Sequence, residues 1–234
     1  MVLDALKGEE HEVSPATLAR WIGLPRSTVH RIVTSLVGEG LLERQGTQVR
    51  LGVRLFEIGQ RVPRQRVLRD AARPYMRDLR EATRQTVHLA ILEGSQVVYV
   101  DILASPGAPP LPSSVGGRLP AHVTGVGKAM LAFSPPETRS AVLDADLARV
   151  SERSTIAPGL LARELDDIRQ SGTAYDREES GPGIVCAASP ILGVGGEVLG
   201  ALSLSGWSNR MRLDQIAPAV RTVALALSCD LGRR

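Results

Sequence analysis

Apolar positions recur at a helical period in the first third of the chain and, from about residue 86, at the two-residue period of strands. In "SPATLARWIGLPRSTVHRIVTSLVGEGLLERQGTQVRLG", Ser14 is suited to cap a helix whose first position is Pro15, where the missing N–H costs nothing. That helix is expected to end near Ile22. Gly23 allows a sharp turn, and Pro25 opens a second helix that Gly38 and Gly40 bring to a close. In the second helix Val29, Ile32, Val33, Leu36 and Val37 make one apolar stripe, while Ser27, His30, Arg31 and Thr34 project together at i, i+3, i+4 and i+7. "LLERQGTQVRL" then reads as two short strands around Gln45-Gly46-Thr47, flanked by Arg44 and Arg50. Helix, turn, helix and basic hairpin are the parts of a winged helix-turn-helix, whose second helix enters the major groove of DNA. A helical cap packed on another domain would not require the polar face.

Residues 52–85 are helical in pattern but interrupted by Pro63 and Pro74, which predict breaks or restarts and hence a linker. Leu55, Phe56 and Ile58 are expected to pack between protomers, with Arg54, Arg61, Arg64 and Arg66 near phosphates. From Thr86 the runs "TVHLAILEGSQVVYVDIL", "GIVCAASPIL" and "EVLGALSLSG" predict strands, the last two joined by "GVGG". Helices are expected over 125–133, roughly 136–148, roughly 158–171 and 214–231. The mixture predicts an α+β domain with an antiparallel sheet. "ASPGAPPLPSSVGGRLP", residues 104–120, is a loop by composition and a candidate pocket lid. Along "ALSLSG", Ala201, Ser203 and Ser205 share one face of a strand and Leu202 and Leu204 the other; Cys186 and Ala188 likewise share a face.

Charge sharpens the division. Residues 1–66 hold 10 Lys+Arg against 7 Asp+Glu, a balance of +3, and residues 67–234 hold 18 against 18, so the whole net charge of +3 sits in the first third. A surplus confined to the helix-turn-helix region suits a polyanion such as nucleic acid. With 234 residues and 43% apolar content, two cores are expected. No run of 18 apolar residues is present, and "MVLDALKGEEHE" lacks the layout of a signal peptide, so a cytoplasmic protein without a membrane partner is expected. Cys186 and Cys229 are too few for a disulfide framework, and His11, His30, His88 and His122 show no ligand spacing with them, so neither metal nor other cofactor is expected.

Two constellations invite a catalytic reading. In "DREESGPGIVCAASP" Asp176 and Cys186, taken with His122, offer an orienting carboxylate, a nucleophile and a base, but no local nucleophile signature accompanies them. In "AHVTGVGKAMLAF" a phosphate-binding loop would need glycine and Ser or Thr where His122 and Ala129 stand. What remains there is a helix N-terminus at Gly125-Val126, suited to a small carboxylate. Lys128 is read as tying that turn down or lying on the surface, and Glu178 and Glu179 as loop or surface charges.

"LARWIGLPRSTVHRIVTSLVGEGLLER" resembles the DNA-binding segment of the isocitrate lyase regulator (IclR) family of bacterial transcription factors, whose turn reads L-P-(K/R)-S-T-V-H-R. "RLFEIGQ", "TVHLAILEGSQVVYVD", "VGGRLPAHVTGVGKAMLAF", "YDREESGPGIVCAASPI" and "ALSLSG" follow in the family's order. The resemblance implies an N-terminal winged helix-turn-helix over 1–52, a helical linker over 53–73 and an effector-binding domain like the small-molecule-binding GAF domain over 74–234. It implies a regulator, repressor or activator, rather than an enzyme. The first helix is expected to be shorter than is usual in the family. DNA contacts are then expected from Arg26, Ser27, Thr28, His30, Arg31, Thr34, Arg44 and Arg50. Effector contacts carry over to the backbone of Gly125 and Val126 and to Asp176, Cys186, Ser203 and Ser205. The implied partners are pseudo-palindromic operator DNA, a small organic-acid effector and a second copy of the chain, as a homodimer or homotetramer. Gly125, Val185 and Trp207 stand where alanine, arginine and proline are common. Asp176 should accept a hydrogen bond from an effector hydroxyl while a carboxylate meets the helix N-terminus. With 3% aromatic residues, no stacking cage is expected.

Overall fold

The structure, a computed structural model, describes residues 2–6 and 12–233, apart from the side chain of Arg64. The chain divides into two compact units that part between Arg66 and Val67. His11 lies outside the described residues.

The first unit contains α1 (Val2–Ala5), α2 (Pro15–Ile22), α3 (Arg26–Gly38), the hairpin β1 (Leu42–Gln45) and β2 (Gln48–Leu51), and α4 (Val53–Gly59). Ser14 caps α2 as expected, its Oγ accepting from the Thr17 N–H at 3.1 Å. Gly23 then takes φ +67°, a left-handed conformation in which a side chain is strained, and its N–H bonds back to the Ala19 carbonyl. Leu18, Val29, Val33, Leu42 and Val49 are buried together, so the apolar stripe of α3 closes the core against α2 and the hairpin. Val13 pairs with Val49 on the far side of β2. Gly52 has no room for a side chain, because a Cβ there would lie 2.2 Å from the Gly40 carbonyl oxygen. This close approach holds the end of the hairpin beside the end of α3.

The second unit is built on a six-stranded sheet. In chain order its strands are β3 (Thr86–Glu93), β4 (Gln96–Leu103), β5 (Arg118–Pro120), β6 (Ala174–Arg177), β7 (Ile184–Leu192) and β8 (Val198–Trp207). They lie side by side in the order β5-β4-β3-β8-β7-β6, each neighbour antiparallel. One face is covered by α6 (Gly125–Phe133), α7 (Pro136–Leu143) and α8 (Pro158–Ser171), the other by α5 (Pro63–Thr83) and α9 (Leu213–Leu231). The alternation read along β8 holds: Ala201 goes to the α6 side, and Leu202 and Leu204 to the α5 and α9 side.

Three expectations need correction. Pro63 starts a helix, but Pro74 does not break it: α5 runs through it without interruption. A proline inside a helix costs about 3 kcal/mol, yet Leu68, Met76 and Leu79 are buried from the same helix. At roughly 1.5–3 kcal/mol per buried side chain, they outweigh that cost. The helix expected over 136–148 stops at Leu143. The short strands β5 and β6 lie outside the expected elements, because three or four residues display too little alternation to register. Of the loop expected over 104–120, residues 104–117 form neither helix nor strand, whereas Arg118–Pro120 form β5. Among the described residues no helix is long and apolar enough to cross a membrane.

Candidate effector pocket and nucleic-acid interface

Strand register gathers the expected effector residues on one side of the sheet. Asp176 on β6 faces Cys186 on β7, which faces Ser205 on β8, which faces Thr86 on β3. In the next row of the same face Ala188 on β7 opposes Ser203, and Ser203 opposes His88. Partners in adjacent antiparallel strands project to one face, so residues more than a hundred positions apart become neighbours. The N-terminus of α6 lies over these rows, and the loop 104–117 supplies Leu111, Pro112 and Ser113. Together they line a small cavity with a mouth open to solvent. All six expected residues, Gly125, Val126, Asp176, Cys186, Ser203 and Ser205, line it.

The cavity also contains residues that the sequence did not single out. His88 is 2% exposed, with Nε2 2.9 Å from Ser113 Oγ and Nδ1 3.4 Å from both Ser203 Oγ and Ser205 Oγ. Burial lowers its pKa to about 4, so the ring is neutral at physiological pH. Tyr99 is tilted against it at a centroid distance of 5.4 Å. Tyr99 gives the pocket one aromatic side chain, tilted against His88 and not part of a cage. Two signals in the sequence pointed here: Thr86, His88 and Ala90 alternate with Val87, Leu89 and Ile91, and Thr124 precedes a helix at the position of a cap.

That cap is made, with Thr124 Oγ1 accepting from the Gly127 N–H at 3.1 Å. Gly125 and Val126, as the first helical residues, have N–H groups without partners inside the helix. At Gly125 the helix lies close against the sheet. A Cβ there would lie 2.7 Å from Cys186 Sγ and 3.3 Å from Ala188 Cβ.

Asp176 is 2% exposed and already engaged. Its Oδ1 accepts from the N–H groups of Glu179 and Ser180, and Oδ2 from the Ser180 hydroxyl. Burial pushes its carboxyl up from the usual range, and these donors pull it partly back. Of about four lone-pair sites on a carboxylate, three are taken, which leaves one on Oδ2 for a ligand. The bonds fold "DREES" into a tight turn beneath the cavity.

Glu179 and Lys128 are not surface residues. Lys128 is 0% exposed and Glu179 6%. Lys128 Nζ lies 2.6 Å from both Glu179 Oε1 and Glu164 Oε1, so it ties α6 to α8 and to the Asp176 turn. Burial raises the Glu179 carboxyl and Lys128 opposes the rise. Glu179 Oε2 has no hydrogen-bond partner among the described residues. Glu178 behaves more nearly as expected: it meets Arg153 at 3.0 Å on the loop, although its backbone takes φ +66°.

The catalytic arrangement does not assemble. Burial pushes the Cys186 thiol up to about 12, so the nucleophilic thiolate is suppressed. His122 is not in the cavity lining; its Nε2 bonds the Ala148 carbonyl at 3.0 Å. Among the described residues no group of three or more His, Cys, Asp or Glu is arranged to hold a metal ion.

In the first unit, Arg26, Ser27, His30, Arg31 and Thr34 are exposed on α3 and Thr28 is half-buried. Arg44 reaches across from β1 to Thr34 Oγ1 at 3.5 Å. Arg50 is exposed but committed: it meets Glu43 at 3.0 Å, Gln45 at 2.9 Å and Glu12 at 3.7 Å. The Val53 N–H and Arg50 hold the Glu43 carboxyl below its usual range. Arg54 donates to the Glu39 carbonyl at 2.7 Å.

A winged helix-turn-helix with an exposed polar recognition face, joined in one chain to an α+β unit around a polar cavity, defines a DNA-binding transcriptional regulator with a C-terminal effector domain. The chain belongs to the IclR family: the model of the bacterial transcriptional regulator IclR C-terminal domain matches residues 60–229, and that of the IclR helix-turn-helix domain matches residues 1–46. It is 31% identical to the HTH-type transcriptional regulator XynR of Escherichia coli, covering 99% of this chain and 94% of that protein. It is 30% identical to the regulator KdgR of the same organism, over 99% and 90%. An IclR homolog from Microbacterium hydrocarbonoxydans, solved in complex with 4-hydroxybenzoate, superposes with a TM-score of 0.92 at 30% identity, covering 100% of this chain and 97% of that one.

Proposed function

We propose that this regulator binds a pseudo-palindromic operator as a homodimer, or as a pair of dimers, and that a small organic acid in the cavity sets its operator affinity. The observation that carries the reading is the convergence of Gly125, Val126, Asp176, Cys186, Ser203 and Ser205, with His88, around one cavity. The N–H groups at the start of α6 suit a carboxylate, and the remaining site on Asp176 Oδ2 suits a hydroxyl. The 4-hydroxybenzoate held by the Microbacterium homolog has both groups, which supports a hydroxy acid here.

DNA recognition rests on Arg26, Ser27, Thr28, His30, Arg31 and Thr34 reading the major groove, with Arg44 and Arg50 on the hairpin near the backbone. Arg50 contributes least, because Glu43 and Glu12 already compensate its charge. Self-association is supported by α4, where Val53 and Phe56 are 63% and 65% exposed. Residues 1–52 act as the DNA-binding domain, 53–73 as the linker and 74–234 as the effector domain. The protein works in the cytoplasm, without cofactor or catalytic activity.

A melting screen against small carboxylic acids tests the effector half. An acid at a hundred times its Kd should stabilise the protein by about 2.7 kcal/mol. Footprinting on DNA near the protein's own gene tests the other half, and uniform protection without sequence preference would count against it.

A further inference from the structure

Residues 104–117 cross the mouth of the cavity, and they are held unevenly. At one end the Ser105 N–H donates to Thr86 Oγ1 at 3.1 Å and Trp207 Nε1 donates to the Gly107 carbonyl at 3.0 Å. At the other end the Gly116 N–H donates to the Tyr99 carbonyl at 2.8 Å. Between Gly107 and Gly116 Pro109 is buried, and among the described residues the side chain that hydrogen-bonds is Ser113, whose hydroxyl meets His88 Nε2 at 2.9 Å inside the cavity. Leu111 and Pro112, beside it, complete the cavity wall.

The direction of that bond follows from His88's other nitrogen. Ser203 Oγ and Ser205 Oγ both lie 3.4 Å from Nδ1. Each hydroxyl carries a proton that needs an acceptor; both also meet the Cys186 thiol, but sulfur is a weak acceptor and the neutral ring nitrogen Nδ1 is the stronger one that they share. A neutral imidazole that accepts at Nδ1 carries its proton at Nε2. Nε2–H therefore donates to Ser113, and Ser113 Oγ occupies the position of an acceptor oxygen.

We propose that His88 is a specificity-determining residue of the effector pocket, masked by Ser113: an acceptor oxygen of the ligand, carboxylate or carbonyl, displaces the Ser113 hydroxyl from Nε2 and frees the middle of the covering loop. The ligand half of this proposal rests on the organic-acid reading above; the latch itself does not. Binding and loosening of the loop are then one event. The loop reports occupancy, and a ligand lacking an acceptor at that position leaves it latched.

Hydrogen exchange of residues 104–117 in the full-length protein without ligand tests the latch. Ser113→Ala should speed exchange of the hydrogen-bonded loop amides of Ala108, Gly116 and Gly117 about fivefold, the effect of losing one ordinary hydrogen bond, and leave β7 and β8 unchanged. Unchanged loop exchange overturns the latch whether or not any acid binds. Calorimetry with 4-hydroxybenzoate, pyruvate and 4-methylphenol as probes tests the ligand half, the last lacking an oxygen where the acid has its carboxylate. Ser113→Ala should tighten binding of an acid about fivefold without changing that of 4-methylphenol, and in a His88→Ala background the gain should vanish, while His88→Gln, which retains an N–H donor, restores part of it. Equal tightening in the presence and absence of His88 overturns the role given to His88. If neither acid binds the wild-type protein while the latch behaves as stated, the organic-acid reading fails for these probes and the ligand role of His88 falls with it, whereas the latch stands.

Discussion

On α3 the polar residues Ser27, His30, Arg31 and Thr34 are exposed. In the second unit His88, Asp176, Ser203 and Ser205 are all buried on one face of a sheet. Solvated groups are available to a partner and contribute little to the fold, so they act almost independently of one another. Buried groups must satisfy each other before they meet a ligand, and a change in one is felt as stability as well as binding. The sharpest test of this contrast is the Lys128 cluster. Lys128→Met should cost about 3–5 kcal/mol, because it leaves Glu179 buried with an uncompensated charge. Urea unfolding followed in the second unit would show it, and a loss below 1 kcal/mol would mean that the cluster is not buried as described.

The next test uses pH. His88 is held neutral, with a pKa lowered to about 4. Between there and the usual 6.5 the unfolded chain binds the extra proton, so this residue's contribution falls as pH drops, by about 3 kcal/mol in full. Asp176 and Glu179, whose carboxyls are raised, act in the opposite sense. The difference between wild type and His88→Gln therefore isolates the histidine: the wild type should lose more stability from pH 7 to pH 4 than the variant. Parallel curves would remove His88 from the buried network.

Gly125→Ala probes the helix contact. Alanine is ordinarily the better helix residue by up to about 1 kcal/mol, but its Cβ would meet Cys186 Sγ at 2.7 Å. Overpacking should win, at about 1–3 kcal/mol. Adding Cys186→Ala should recover part of the loss in thermal unfolding; a simple sum of the two penalties would place the strain elsewhere.

Much of this was legible in the sequence, for reasons that differ between the units. The helix-turn-helix is local: Ser14, Gly23, Pro25 and the stripe from Val29 to Val37 act within a few residues of one another, so propensity and periodicity were enough. The pocket depends on register. Ser203 and Ser205 could be placed on one strand face, but only pairing with β3 brings His88 to Ser203, and only β6 brings Asp176 to Cys186. The burial of Glu179 was not legible, and that of Lys128 only in part: of its two readings, tying the turn down holds and lying on the surface does not, and its partner Glu164 lies 36 residues away, on α8.

At the exposed end of the comparison, Arg31→Ala should leave stability within about 0.5 kcal/mol and cost about 1–3 kcal/mol of operator affinity. An unchanged affinity would remove Arg31 from base readout. The central claim joins the two units, and operator affinity measured at constant salt with and without a cavity-binding acid tests it most directly. The account predicts a change of about 5–150-fold in either direction, lost in a Ser203→Val/Ser205→Val variant that no longer binds the acid. An acid that occupies the cavity and leaves operator affinity unchanged would contradict it.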